Sequence, residues 1–284
     1  MKIHETSQQG MVLLAVLWMV AALSLIVTGV LQSVRSEVQL AGSHRQVLAA
    51  SATADAFILL ALQNIQLKPG QPDINPQSLS VQFEEHVGTV SVLPLNGLID
   101  LNAASVKLLT DAYRYAGGLT QQQALALAQA TKETRDIKNS KGQPQNFDAI
   151  EDLLRVPSMS YDLYAKMIGL VTTDLRSGSG RINPHAAPLG VLQVLTGGDF
   201  VRAAALAYQR DKDPKTMDTT FLETEHIALA PSNSLRFQTQ VQLSGGGVFQ
   251  KSWLIYWGSD PRSGLPWRLL GTQQSTLRSV QNGS

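Results

Sequence analysis

From Met11 to Val34 the chain runs for 24 residues without an ionisable side chain. No other feature of its 284 residues restricts the fold as sharply. About 20 apolar residues in a helix, rising about 1.5 Å each, match the roughly 30 Å hydrocarbon core of a bilayer. Leu13, Leu14, Val16, Leu17, Trp18, Val20, Leu23, Leu25, Ile26, Val27 and Val30 would face all directions around that helix. A surface helix keeps a polar stripe, and this one has none. The run over 11–34 therefore reads as a membrane-spanning helix. A cleaved secretory signal has a shorter apolar core, about 7–15 residues, followed by a small-residue cleavage site. Here Gln32, Ser33, Arg35 and Glu37 lead into further helix-compatible sequence instead.

Beyond Arg35 the helical pattern continues through Val38, Leu40, Val47, Leu48, Phe57, Ile58 and Leu62, and Pro69-Gly70 ends it. One helix from Met11 to about Leu67 would be roughly 85 Å long. Its second half must bury one face on a globular body. Residues 70–76 read as a connector, and Leu79–Val81 and Val87–Leu93 as short strands around Glu84, Glu85 and His86. A helical stretch rich in Ala, Leu and Gln spans about Ala103 to Arg210. Strands are then expected over Glu225–Leu229, Leu235–Leu243, Phe249–Trp257 and Trp267–Thr272. Turns fall at 231–233, 245–247 and 260–262. Strands on both sides of a helical block predict an α+β scaffold, an antiparallel sheet with a helical domain inserted into it.

The helical block repeats itself. Residues 99–109, beginning Ile99-Asp100-Leu101-Asn102, line up with 182–192, beginning Ile182-Asn183-Pro184-His185. Each copy sets a small capping segment before a short helix. A glycine pair follows, Gly117-Gly118 and then Gly197-Gly198, with a second helix after it. Residues 147–170 form a third helix–hairpin–helix unit, with Pro157 and Ser158 at its hairpin.

Composition narrows the chemistry. Lys and Arg total 23 against 22 Asp and Glu, so no global charge steers the chain onto nucleic acid. Cysteine is absent, which removes disulfides, thiol catalysis and Cys-ligated metals. His4, His44, His86, His185 and His226 stand isolated in the sequence, with no His-Glu-x-x-His, no nucleophile elbow and no phosphate loop. No enzyme is expected. DNA-binding hairpins use Gly-x-Gly amides aimed at phosphate. The hairpins at Gly117-Gly118, Pro157-Ser158 and Gly197-Gly198-Asp199 depart from that pattern, and the last puts a carboxylate where phosphate would sit. Ser177-Gly178-Ser179-Gly180 reads as a flexible lead-in to the second repeat. Asp211, Asp213 and Asp218, with Glu223 and Glu225 nearby, form the densest carboxylate cluster. They are the calcium candidates, although the spacing is not that of an EF-hand.

The polar lead from Met1 to Gly10, closing on glycine before Met11 and the apolar run, resembles the leader of type IV pilins and pseudopilins. The resemblance extends through residues 97–102, the segment Glu151-Asp152-Leu153-Leu154-Arg155-Val156-Pro157, and Gly180-Arg181-Ile182-Asn183-Pro184 to the C-terminal strands. On these residues the chain resembles the K-type minor pseudopilins of type II secretion, the general secretion pathway protein K family. The resemblance implies a pilin-like fold: a leader over 1–10, a transmembrane helix over 11–34, a body over 35–98 and 221–284, and an inserted helical domain over 99–220. It implies cleavage by prepilin peptidase between Gly10 and Met11, with N-methylation of Met11. Most pilins carry Glu five residues into the mature chain, and here that position is Ala15. The resemblance further implies a non-enzymatic inner-membrane protein of a Gram-negative bacterium with its body in the periplasm. Its expected partners are the I- and J-type minor pseudopilins, the pseudopilus and the inner-membrane secretion platform, with no nucleic acid. Calcium is the one ligand the resemblance brings with it. A minor pilin of a type IV pilus, or a DNA-uptake helix–hairpin–helix protein, is the alternative.

Overall fold

The computed structural model describes residues 6–67, 75–138, 142–173, 178–244, 247–259 and 263–278. Helix α1, Thr6–Gln66, is unbroken over 61 residues, about 90 Å. It begins five residues ahead of the expected Met11, because nothing in Thr6–Gly10 forbids a helical backbone. The two halves of α1 differ as the sequence pattern requires. Leu14, Leu17, Trp18, Met19 and Leu23 are all more than half exposed, an apolar surface that no other described part of the chain covers. Farther along, Ala50, Ala54, Phe57, Ile58, Ala61, Leu62 and Ile65 recur every three or four residues and are buried. The stretch Ala41–Gln66 is apolar enough to cross a bilayer by composition, but this buried face belongs to a protein core.

That face packs on a five-stranded antiparallel sheet formed by β1 (Gln77–Phe83), β2 (His86–Pro94), β5 (Ser234–Gln242), β6 (Gly247–Trp257) and β7 (Trp267–Arg278), in the order β1-β2-β5-β6-β7. Val81, Val90, Val92, Leu235, Phe237 and Ile255 meet Phe57, Ile58 and Leu62 from the sheet side. Each such large side chain contributes about 1.5–3 kcal/mol by leaving water. A polar clamp fixes where α1 lies. Lys251 on β6 donates to Asp55 Oδ2 at 2.6 Å and to Ser51 at 2.8 Å, and Trp253 Nε1 donates to Asp55 Oδ1 at 3.0 Å. A charge pair inside an apolar interface permits one register and penalises others.

Strands β2 and β5 are neighbours in the sheet, Val92 opposite Phe237, although residues 95–233 separate them in sequence. The expected helical block is broken into short pieces: α2 (Val106–Asp111), α3 (Gln121–Asp136), α4 (Tyr161–Met167), α5 (Leu189–Leu195) and α6 (Phe200–Lys212). They share one core containing Leu101, Leu108, Tyr113, Leu153, Val171, Ile182, Leu192, Leu206 and Leu222. The two-residue strands β3 (Ile99–Asp100) and β4 (Val171–Thr172) pair in parallel within it. The strand expected over Glu225–Leu229 reduces to a single parallel bridge, Ile227 opposite Ile182. Pairing does not extend past Ile182, because Asn183 N donates to Asn96 O and Pro184 has no N–H to give. The turns expected at Gly245-Gly246 and 260–262 lie outside the described residues, as does Ser177.

Candidate functional site

The two repeats have the same local machinery. Asp100 Oδ1 accepts from Asn102 N at 2.9 Å, and Asn183 Oδ1 accepts from His185 N at 3.1 Å, so each repeat opens on a side-chain-closed turn. Ile99 N donates to Leu170 O, and Ile182 N to His226 O. At the far end of each unit a buried arginine reaches back across the turn. Arg135 Nη1 donates to Leu101 O at 3.0 Å and Ala104 O at 2.9 Å, and Arg210 Nη1 donates to Ala187 O at 2.5 Å. Asp136 and Asp211, each next in sequence, hold the Nε side of these guanidiniums. Gly180 shows why the lead-in to the second repeat needs glycine. Its φ is +69°, and a Cβ there would lie 2.2 Å from Ala103 O.

The hairpins engage their own amides. Gly117 N donates to Ala112 O, Gly118 N to Arg114 O, and Leu119 N to Tyr113 O. In the second repeat Gly197 N and Gly198 N donate to Val194 O and Gln193 O, and Asp199 caps α6 by accepting from Arg202 N at 3.0 Å. An anion at either glycine pair would meet no free donor from these amides, and at the second it would meet a carboxylate. The units pack helices against each other.

The sequence-predicted calcium residues separate into local duties. Asp211 lies 2.8 Å from Arg210 Nε, Asp213 Oδ1 accepts from Lys215 N, and Asp218 Oδ1 accepts from the Thr220 hydroxyl and amide. The Thr220 hydroxyl, with its amide, holds the Asp218 carboxyl below the usual carboxylate range. Among the described residues the convergent group is a different one, Glu223, Glu225 and His226, whose donor atoms lie within 4.8 Å of one another. His226 stands alone in the sequence, but the fold buries it beside both glutamates and Asp111 of α2. Lys107, four residues before Asp111, ion-pairs with Glu223 and, at 2.7 Å, with Glu225. Those two contacts, Glu223 first, push the Lys107 ammonium above the ordinary lysine value. Burial raises the Asp111 carboxyl, and His226 opposes that shift. Neither Lys107 nor Asp111 has a sequence signal for this role, since their partners lie more than a hundred residues away.

This donor set does not fit calcium. Calcium takes about 6–8 oxygen ligands, whereas here an imidazole supplies one of the convergent atoms and a lysine ammonium lies between the carboxylates.

Gly10 and Met11 lie within the helical backbone of α1, and the Met11 side chain is outside the described residues. Ala15 is exposed on the apolar half of the same helix.

No protein-family model and no curated protein matches the chain significantly. Among solved structures it is similar to GspK in the GspK–GspI–GspJ complex from the enterotoxigenic Escherichia coli type 2 secretion system. The identity is 16%, the TM-score 0.52, and the likeness covers 84% of this chain and 99% of that one. The segment between β2 and β5 is about half of the chain, so coverage this wide takes in the helical segment as well as the sheet. The chain has the α+β, pilin-like fold of GspK, with a long apolar N-terminal helix, an antiparallel sheet and a helical insertion between two neighbouring strands.

Proposed function

We propose that the chain is a minor pseudopilin of a type II secretion system. One observation carries this reading: the likeness to GspK extends over almost the whole of that chain, insertion included. A pilin-like helix and sheet alone would suit many filament subunits, and the bulky insertion is what singles out this one. The exposed apolar half of α1 supports a membrane anchor over 11–34, with the body over 35–98 and 221–284 and the inserted domain over 99–220 in the periplasm. The leader over 1–10 is cut between Gly10 and Met11 by prepilin peptidase, and Met11 is N-methylated. The subunit assembles with two further minor pseudopilins, counterparts of the GspI and GspJ found with GspK, as the complex that starts the pseudopilus and caps its tip. The role is structural rather than enzymatic.

Ala15 gives the tip position a physical reason. A mature N-terminal ammonium inside an apolar filament core needs an anionic partner. A neighbour carrying Glu at this position would supply one, and Ala15 supplies none. No subunit above is then neutralised by this one. The helix–hairpin–helix units do not favour a DNA-uptake role, because their glycine amides are engaged internally.

Gly10→Val tests the reading in cells. The expected result is a full-length, unmethylated precursor that remains in the membrane and fails to support export. A mature-sized product from this variant would refute the processing site. A wild-type N-terminus beyond residue 30 would refute the anchor.

A further inference from the structure

Among the described residues, one convergent group of charges outside α1 joins two parts of the chain far apart in sequence. Lys107 and Asp111 come from α2 in the first repeat, and Glu223, Glu225 and His226 from the segment that closes the second. The His226 side chain is only 6% exposed, and Nε2 lies 3.3 Å from Glu223 Oε2, 3.7 Å from Glu225 Oε1 and 4.0 Å from Asp111 Oδ2. Among the described residues that nitrogen has no hydrogen-bond partner. Carboxylates converging on a buried donor atom make a cation site, and the question is which cation it holds.

We infer that Lys107 is the resident cation: its ammonium takes the place of a divalent ion and latches the segment 218–228 of the second repeat onto the first helix of the first. The ammonium bonds both glutamates at once, and an incoming ion would have to break two charge-assisted hydrogen bonds to enter. The remaining ligands are too few and of the wrong kind for calcium, an imidazole nitrogen among them. The other acidic side chains of this region are engaged, Asp211 by Arg210 and Asp213 and Asp218 by their own turns. The latch also acts where the second repeat closes. Leu222, four residues before His226, lies in the helical core, and His226 O and Ala228 N pair with Ile182 on either side of the Ile227 bridge. Insertion stability therefore needs no metal.

Thermal melts of the full mature chain in detergent, with a chelator, millimolar calcium or millimolar zinc, test this. Wild type is expected to shift by less than about 1 °C among the three, since a ligand that binds the native state raises its melting point. Lys107→Met in chelator is expected to melt about 2–4 °C lower, and calcium should leave that loss in place, because the remaining ligands do not suit it. In a Glu223→Gln/Glu225→Gln background, Lys107→Met should change nothing further. Stabilisation of the wild type by several degrees with either metal would overturn the inference, because the carboxylates would then be waiting for an ion. So would a Lys107→Met variant that melts normally in chelator, or one whose loss persists in the double-glutamine background. None of these outcomes depends on the processing of Gly10, so the secretion reading and the latch fail separately.

Discussion

Residues 99–109 and 182–192 follow the same backbone path and are held in it unequally. Each opens on a short parallel pairing, β3 with β4 in one and Ile182 with Ile227 in the other. Each closes a turn with an Asp or Asn side chain and is braced by an arginine from the next α-helix, α3 in one and α6 in the other. The first repeat has more fastenings. Ser105 caps α2 by accepting from Leu108 N, where Pro188 offers α5 no side-chain cap. Asn102 bonds both the amide and the carbonyl of Phe147, tying in the third helix–hairpin–helix unit, where His185 leaves Nδ1 buried with no partner among the described residues. The first repeat holds the third unit in place, and the second is held by the latch at its closing segment. A repeated fold thus keeps its geometry while its polar contacts diverge according to what each copy must touch.

The arginines make the largest test of this asymmetry. Arg135→Met strips the donors from two carbonyls, and an unsatisfied buried acceptor costs about 1–3 kcal/mol, so a loss of about 3 kcal/mol is expected. Arg210→Met strips one carbonyl and should cost about half as much. Urea-unfolding midpoints of the two variants check the order, and equal losses would mean that the repeats are braced alike. Asn102→Ala comes next. It breaks both bonds to Phe147 and should cost about 2 kcal/mol, with faster proteolysis of the segment around Phe147. An unchanged digestion pattern there would show that apolar packing alone retains the third unit.

Much of this architecture is legible before any coordinates. The uncharged run and its one-faced continuation announce the long helix, alternation marks the strands, and the paired Ile and Ala-Ala positions mark the repeat. What escapes is whatever depends on convergence. Two-residue strands such as β3 and β4 have no periodicity to read. Arg135 and Arg210 near helix C-termini look like ordinary dipole-compensating surface charges, yet both are buried. The carboxylates clustered at Asp211, Asp213 and Asp218 close local contacts, while Lys107 meets Glu223 across more than a hundred residues. Density along the chain is a poor guide to density in space wherever Asp side chains have turns of their own to close.

The smallest expected effect concerns His185, which occupies the place of Asn102. Burial, and after it the Arg210 guanidinium, depress this imidazole below its ordinary value of 6.5. The unfolded chain therefore takes up its proton first as the pH falls. Stability is complete above 6.5 and declines as the pH drops through the window between the ordinary and the folded value. His185→Asn should flatten the acid side of the stability curve over that window and leave the neutral side nearly unchanged. Asp111 opposes this trend from lower pH, because burial raises its carboxyl and the native chain keeps that proton longer than the unfolded one. The wild-type minus His185→Asn difference, measured as unfolding midpoints at a series of pH values, separates the two. A difference curve that is flat from neutral pH downward would mean that the second repeat tolerates a charged imidazole there. His185 would then be as well accommodated in its turn as Asn102 is in the first.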